Sequence, residues 1–202
     1  MTYDNRPTKV RFTDYGTVFD HELSKIRDEN VMKAVRLMLH AAPEEFWFGP
    51  SSYSGKYHDP SEFGFGGNVL HTKRVFRSLM VIEDAFYQRF EALDKPSYVR
   101  DCLLAAALVH DTLQGSTGSS DHVSTFMDYY SKHVELDGRD PVKMAVMDIC
   151  EIAQSHMGRW SPKELVPEEH EWVQWALHTA DMFATKFDGL QILKEHDYEI
   201  RP

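Results

Sequence analysis

Residues 103–111 read Leu103-Leu104-Ala105-Ala106-Ala107-Leu108-Val109-His110-Asp111. An almost wholly apolar run stops at an imidazole followed at once by a carboxylate. Neither group is comfortable at the end of a buried segment unless something pairs with it. A divalent metal does so, because neutral imidazole and ionised carboxylate both ligate first-row transition ions. A lone His-Asp pair more often marks a surface helix end. Here other histidines and acids recur behind apolar helical runs, and that recurrence favours the metal.

Working outward, apolar residues return at three- and four-residue steps through most of the chain, the period of a helix with one buried face. Val31, Ala34, Val35, Met38 and Leu39 mark a helix over 30–42, stopped by Pro43. The aromatic cluster Phe46-Trp47-Phe48 follows and is expected to plug the core edge. Val75, Leu79, Ile82, Phe86 and Phe90 mark a long helix over 68–93, with Pro96 as its breaker and Ser97 as N-cap of the next. Ser120 or Asp121 is expected to cap a helix carrying His122, Phe126 and Tyr130. A further helix starts near Val142 and closes with Ser155-His156-Met157-Gly158-Arg159-Trp160. After a linker from Ser161 to Pro167, the last helix spans 168–187, where His178 and Asp181, three apart, share a face. Residues 1–29 read as an irregular arm with one short helix. No period-two stretch suggests a strand, so the expected fold is all-α.

The 202 residues suit one domain, since single cores stop growing near ~250 residues. A hydrophobic fraction of 42% is ample for a buried core. The net charge of −10 argues against general affinity for nucleic-acid backbone or anionic membrane, leaving room for a local pocket for a small phosphorylated ligand. Cys102 and Cys150 sit in apolar helical patterns without a CxxC pair, as buried thiols of a reducing compartment do. Neither a signal peptide nor a membrane-spanning run is evident, and a cytoplasmic location is expected.

Two sets of residues carry chemistry. The first is the long loop from Ser51 to Gly67, which offers hydroxyls, Lys56 and His58 on a glycine-rich backbone. Ser52, Lys56 and His58 are candidates to hold phosphate oxygens. The loop is not a Walker A, because Gly55-Lys56 is followed by Tyr57. The second set is His71, His110, Asp111 and Asp181, from three expected helices. Without cysteine, such a set suits a catalytic Mn, Fe, Co, Ni, Mg or Zn ion rather than a structural one. His122 and His156 fall near helix ends; if both converge, six ligands hold two ions with Asp111 as the bridge. His21, His40, His133, His170 and His196 have no motif around them and read as surface residues.

Gly66-Gly67-Asn68-Val69-Leu70-His71-Thr72, Leu108-Val109-His110-Asp111 and His178-Thr179-Ala180-Asp181 resemble, in that order, the ligand segments of the HD superfamily of metal-dependent phosphohydrolases. The likeness spans about residues 68–188. Ser54-Gly55-Lys56-Tyr57-His58 and the segment from Ser155 to Trp160 resemble additional motifs of one of its subgroups. The chain departs from many members after the doublet, where Thr112-Leu113-Gln114-Gly115 replaces Ile/Leu-Gly-Lys.

The resemblance implies an all-α bundle around one or two ions, and a small phosphorylated substrate of nucleotide type rather than duplex nucleic acid or membrane. It also implies attack of a metal-activated water on phosphorus. Asp111 would then be catalytic, with Lys56 and Arg159 neutralising charge in place of the missing lysine. Trp160, Tyr57 or Phe48 would stack a base, and His178 would orient Asp181 or a water. A dinuclear site would favour a phosphodiesterase on cyclic or linked nucleotides. A nucleotide-binding module without turnover and, more weakly, a di-iron oxygenase stand as alternatives. The oligomeric state stays open.

Overall fold

The computed structural model describes residues 15–52, 58–115, 122–134 and 140–185. Through them run α1 (Tyr15–Val18), α2 (Asp20–Leu23), α3 (Glu29–Ala41), α4 (Glu44–Phe48), α5 (Gly67–Glu91), α6 (Pro96–Val109), α7 (Phe126–His133), α8 (Pro141–Ala153) and α9 (Trp172–Ala184). Short 3-10 turns lie at Pro60–Glu62, Gly158–Trp160 and Lys163–Leu165. No strand occurs among the described residues, so the fold is all-α. No described helix is long and apolar enough to cross a membrane.

The run at 103–109 forms the central rod. Every residue of α6 from Asp101 to Val109 is buried, and a helix apolar on all sides needs neighbours on all sides. It finds them in α3, α5, α8 and α9. Because the rod is enclosed, its C-terminal end delivers His110 and Asp111 into the interior. Pro96 opens this helix instead of merely ending the one before, and Ser97 is not its N-cap. Proline suits the first helical position, where φ is preset and the missing N–H would have no partner anyway.

The N-terminal arm also departs from expectation. Residues 15–29 hold two short helices, and Phe19, Leu23 and Ile26 are buried. Phe19 packs against Phe46 and Trp47, with ring centroids 6.3 and 6.0 Å away. The buried carboxylate of Asp101 accepts from the backbone N–H groups of Arg27 and Asp28, each at 2.7 Å, and so pins the arm to α6. Asp28 in turn caps α3, accepting from Asn30 N at 2.9 Å and Val31 N at 3.1 Å.

Other boundaries shift too. His122 lies before α7, not on it, while Ser120, Asp121 and Phe187 lie outside the described residues, as does the Phe86 side chain. The last helix begins at Trp172 rather than 168, because residues 168–171 turn back so that Glu168 O accepts from the Trp175 indole at 2.9 Å.

The loop before α5 is closed at its base, where Ser51 N donates to Glu62 O at 3.0 Å. Asp59 caps the 3-10 turn Pro60–Glu62 by accepting from Ser61 N at 2.8 Å. Gly67 makes this closure feasible: a Cβ there would lie 1.9 Å from Glu62 O and 2.9 Å from Ser51 N. Gly67→Ala is therefore expected to lower stability by about 1–3 kcal/mol, the usual cost of forced overpacking. Gly64→Ala, whose Cβ meets nothing within 4 Å, should change it by less than about 0.5 kcal/mol. Urea midpoints of the two variants check the contrast.

Candidate metal centre

Five segments converge at the end of the rod. α5 brings His71, the turn after α6 brings His110 and Asp111, and the segment before α7 brings His122. The turn after α8 brings His156, and α9 brings Asp181. Asp111, 4% exposed, is the shared partner. Its Oδ1 lies 3.2 Å from His122 Nε2 and 3.3 Å from His156 Nε2. Its Oδ2 lies 3.5 Å from His110 Nε2 and 3.7 Å from His71 Nε2. Asp181 Oδ1 stands 3.1 Å from the same His71 Nε2. Two triads result around Asp111, His71–His110–Asp181 and Asp111–His122–His156, and a third group, His58–Glu62–His71, shares His71 with the first; within each the ligand atoms lie within 4.8 Å of one another. All six residues expected to bind metal thus meet in one place, and these groups could hold a metal ion.

The orientation of the rings fits that role. A carbonyl only accepts, so His110 donates from Nδ1 to Ala107 O (3.0 Å) and His156 from Nδ1 to Ala153 O (2.8 Å). With Nδ1 so engaged, each Nε2 points to the centre, the arrangement a ligand needs once that nitrogen is deprotonated. His110 Nε2 is buried and has no hydrogen-bond partner. Such an atom, among imidazoles packed as closely as 4.9 Å between His110 and His156, is what a cation would satisfy. Cys102 and Cys150 are buried free thiols and join neither triad.

Charge is distributed unevenly. Burial pushes the His71 imidazolium down, but its hydrogen bond to Asp181, its contact with Glu62 and the charges of Asp181 and Asp111 outweigh that and raise its pKa to about 10. Burial also dominates at His110, helped by His156 and His71 against the pull of Asp111, and lowers it to about 4. Burial would raise both Asp111 and Asp181. His110, His122 and His156 hold Asp111 well below the usual carboxylate range instead, and His71 lowers Asp181. Without an ion, His71 stabilises the fold fully below pH 6.5 and loses that contribution as pH rises through about 10. The His110 contribution is present above 6.5 and fades as pH falls towards 4.

A cavity of about 480 Å³ opens beside the second triad. Its buried members are Asp111, His122 and His156, and Asp181, His58 and His178 join them. Gln114, Met157, Met182, Thr185 and the 65%-exposed Trp160 complete the lining. No lysine or arginine among the described residues lines it. Arg159 is exposed and Ser52 half-buried, both off the cavity, and Lys56 and Tyr57 lie outside the described residues. Phe48 packs against Phe65 with ring centroids 5.1 Å apart and the rings tilted by 32°, also off the cavity.

His178 does not hydrogen-bond Asp181. Its Nδ1 donates to the backbone oxygen of His156 at 2.8 Å, and its ring sits between Trp160 and Trp175, 5.6 and 5.5 Å away. It thereby holds the turn carrying His156. Gly158, with φ +56°, leaves room for that ring, which a Cβ would meet at 2.8 Å. His21, His40, His133 and His170 are exposed, and His196 lies outside the described residues.

Sequence reasoning missed Glu62. It is fully buried, accepts from Ser51 Oγ at 3.1 Å and from Arg74 Nη1, and lies 3.0 Å from His58 Nδ1 and 3.4 Å from His71 Nδ1. These neighbours overcome the cost of burial and hold its carboxyl far below the usual range. Its recurrence four residues after His58 was the available signal, though i,i+4 pairs are common on surfaces. Gln114 was noted only for the lysine it replaces, yet its buried Oε1 is without a partner and its side chain lines the cavity.

No family model, no curated protein and no solved structure matches this chain.

An ion ligated by His71 Nε2 must displace the proton that His71 otherwise keeps to about pH 10. Zn²⁺ affinity, measured by chelator competition, is therefore expected to rise about tenfold per pH unit from pH 6 to 8 for this one proton. A flat profile would mean that His71 gives up no proton.

Proposed function

We propose that the chain is a metal-dependent phosphohydrolase that cleaves a phosphoester of a nucleotide-type substrate. The observation that carries this reading is the pairing of each Asp111 oxygen with two imidazoles from separate segments, beside a cavity of about 480 Å³. A buried N/O cluster of this kind next to an open cavity is where a hydrolytic site is expected, and the volume lies in the usual small-ligand range of about 300–1,000 Å³. His71, His110 and Asp181 would hold one ion, and Asp111, His122 and His156 would complete a second position. A bound divalent ion supplies Lewis acidity towards a phosphoryl oxygen and makes water acidic enough to act as a nucleophile near neutral pH.

The protein's own residues do the rest. Trp160 offers an aromatic face at the cavity mouth, and Met157 and Met182 provide apolar flanks for a planar base. Gln114, Thr185 and His58 supply polar atoms for sugar or phosphoryl oxygens. Arg159, one residue before Trp160, and Lys56, two before His58, remain the proposed sources of positive charge. The two triads favour the diester branch of the reading, because two ions can clamp attacking and leaving oxygens together.

The test is a phosphate-release and product screen over nucleoside mono- and triphosphates, cyclic nucleotides and linked dinucleotides. It is run with Mn²⁺, Co²⁺, Ni²⁺ and Mg²⁺, and metal content is read by elemental analysis. Turnover with two ions per chain is expected on a diester, while one ion per chain counts against that branch. Binding without product under every metal would replace the enzyme with a binder. Asp111→Asn should weaken metal retention at least about 100-fold and abolish turnover. Trp160→Ala should raise KM about 5- to 150-fold with kcat little changed, the worth of one stacked base.

A further inference from the structure

The Glu62 carboxylate belongs to the loop rather than to the helices that carry the metal-binding residues. It ends the 3-10 turn Pro60–Glu62 and is fully buried. Its Oε2 faces three groups at once: His58 Nδ1 at 3.0 Å, Ser51 Oγ at 3.1 Å and His71 Nδ1 at 3.4 Å. Its Oε1 accepts from Arg74 Nη1, so the buried negative charge is matched by a buried positive one.

His71 has a requirement that His110 and His156 meet differently. Its Nε2 faces Asp181 Oδ1 and Asp111 Oδ2, so a neutral His71 binds an ion there only with its proton on Nδ1. His110 and His156 fix that tautomer through carbonyls of their own helices, Ala107 and Ala153. At His71 the group facing Nδ1 is the Glu62 carboxylate. A carboxylate on the far nitrogen of a ligand imidazole sets ring orientation and raises its donor strength. The same oxygen faces His58, whose ring lies 4.7 Å from that of His71 and lines the cavity.

We infer that Glu62 is the positioning residue of the metal centre: it holds His71 as the Nδ1–H tautomer with Nε2 free for the ion, and through His58 it joins the substrate loop to that centre. The inference rests on the metal-binding half of the proposed function and not on hydrolysis. A chain inactive on every phosphoester would leave it standing.

The competing account makes Glu62 a structural ion pair with Arg74 and nothing more. Glu62→Gln separates the two. With Arg74 occupying the amide oxygen, the NH₂ group faces His71 and favours the wrong tautomer. Arg74→Lys perturbs the same pair and leaves the carboxylate in place. In the full chain, chelator competition with Zn²⁺, followed over pH so that affinity is corrected for the proton His71 releases, is expected to show that corrected affinity lowered about 10- to 100-fold by Glu62→Gln and by less than about threefold by Arg74→Lys. Equal losses in the two variants, tracking their loss of thermal stability, would overturn the inference, and so would unchanged affinity in Glu62→Gln. Should Glu62→Gln not fold, Glu62→Gln/Arg74→Gln removes both charges together and is compared with Arg74→Gln. Long-range ¹H–¹⁵N spectra of the Zn²⁺-loaded unmutated chain give a readout independent of any variant. A protonated Nδ1 on His71 is expected, and a protonated Nε2 overturns the proposal.

Discussion

A carboxylate at the end of a fully enclosed helix must be satisfied from within the protein, and Asp111 is surrounded by four imidazoles, of which His122 hydrogen-bonds it at 3.2 Å. Water is nearly excluded at 4% exposure, so the cost of burying its charge falls on whatever surrounds it. The neighbours come from α5, from the residue before Asp111, from the segment ahead of α7 and from the turn after α8. Helix packing and polar satisfaction therefore constrain one another. The rod of α6 is apolar enough to require burial on every side, and burial on every side forces its polar end to recruit partners from the whole bundle.

A layer of supporting contacts keeps those partners aimed. Backbone carbonyls one turn back orient His110 and His156, and His178 holds the His156 turn by its backbone oxygen. Around Glu62, four side chains from the loop and α5 converge on one carboxylate. Such supports commonly decide whether ligands are merely near one another or held for use. The cavity beside them draws its polarity chiefly from imidazoles, an amide and two acids, so an anion gains there only once a cation has been bound.

Much of this was legible in the sequence, for definite reasons. Helical periodicity at Val31–Leu39 and Val75–Phe90 reports a buried stripe directly, so the all-α class and most helix positions follow from it. His71, His110, Asp111, His122, His156 and Asp181 could be picked out because each stands at the edge of an apolar run, where a polar group needs a reason. Pro96 misled at the α6 start, since the same residue ends one helix and begins the next. Phe19 and Ile26 were hidden in a polar arm whose burial depends on Asp101 reaching the backbone at Arg27 and Asp28. The role of Glu62 was invisible for a similar reason. Its partners, Ser51, His58, His71 and Arg74, converge only when the loop closes over Gly67, and no local pattern encodes that closure.

His71 and Asp181 touch across 110 residues of chain. At ribosomal speeds of about 5–20 residues per second, on the order of ten seconds separate the synthesis of one from that of the other. During that interval a nascent chain carries α5 and α6 with their apolar flanks bare towards the place α9 will take. Docking of α9 covers that flank and completes the first triad in a single event. An ion held by that triad would therefore be taken up only after α9 has docked.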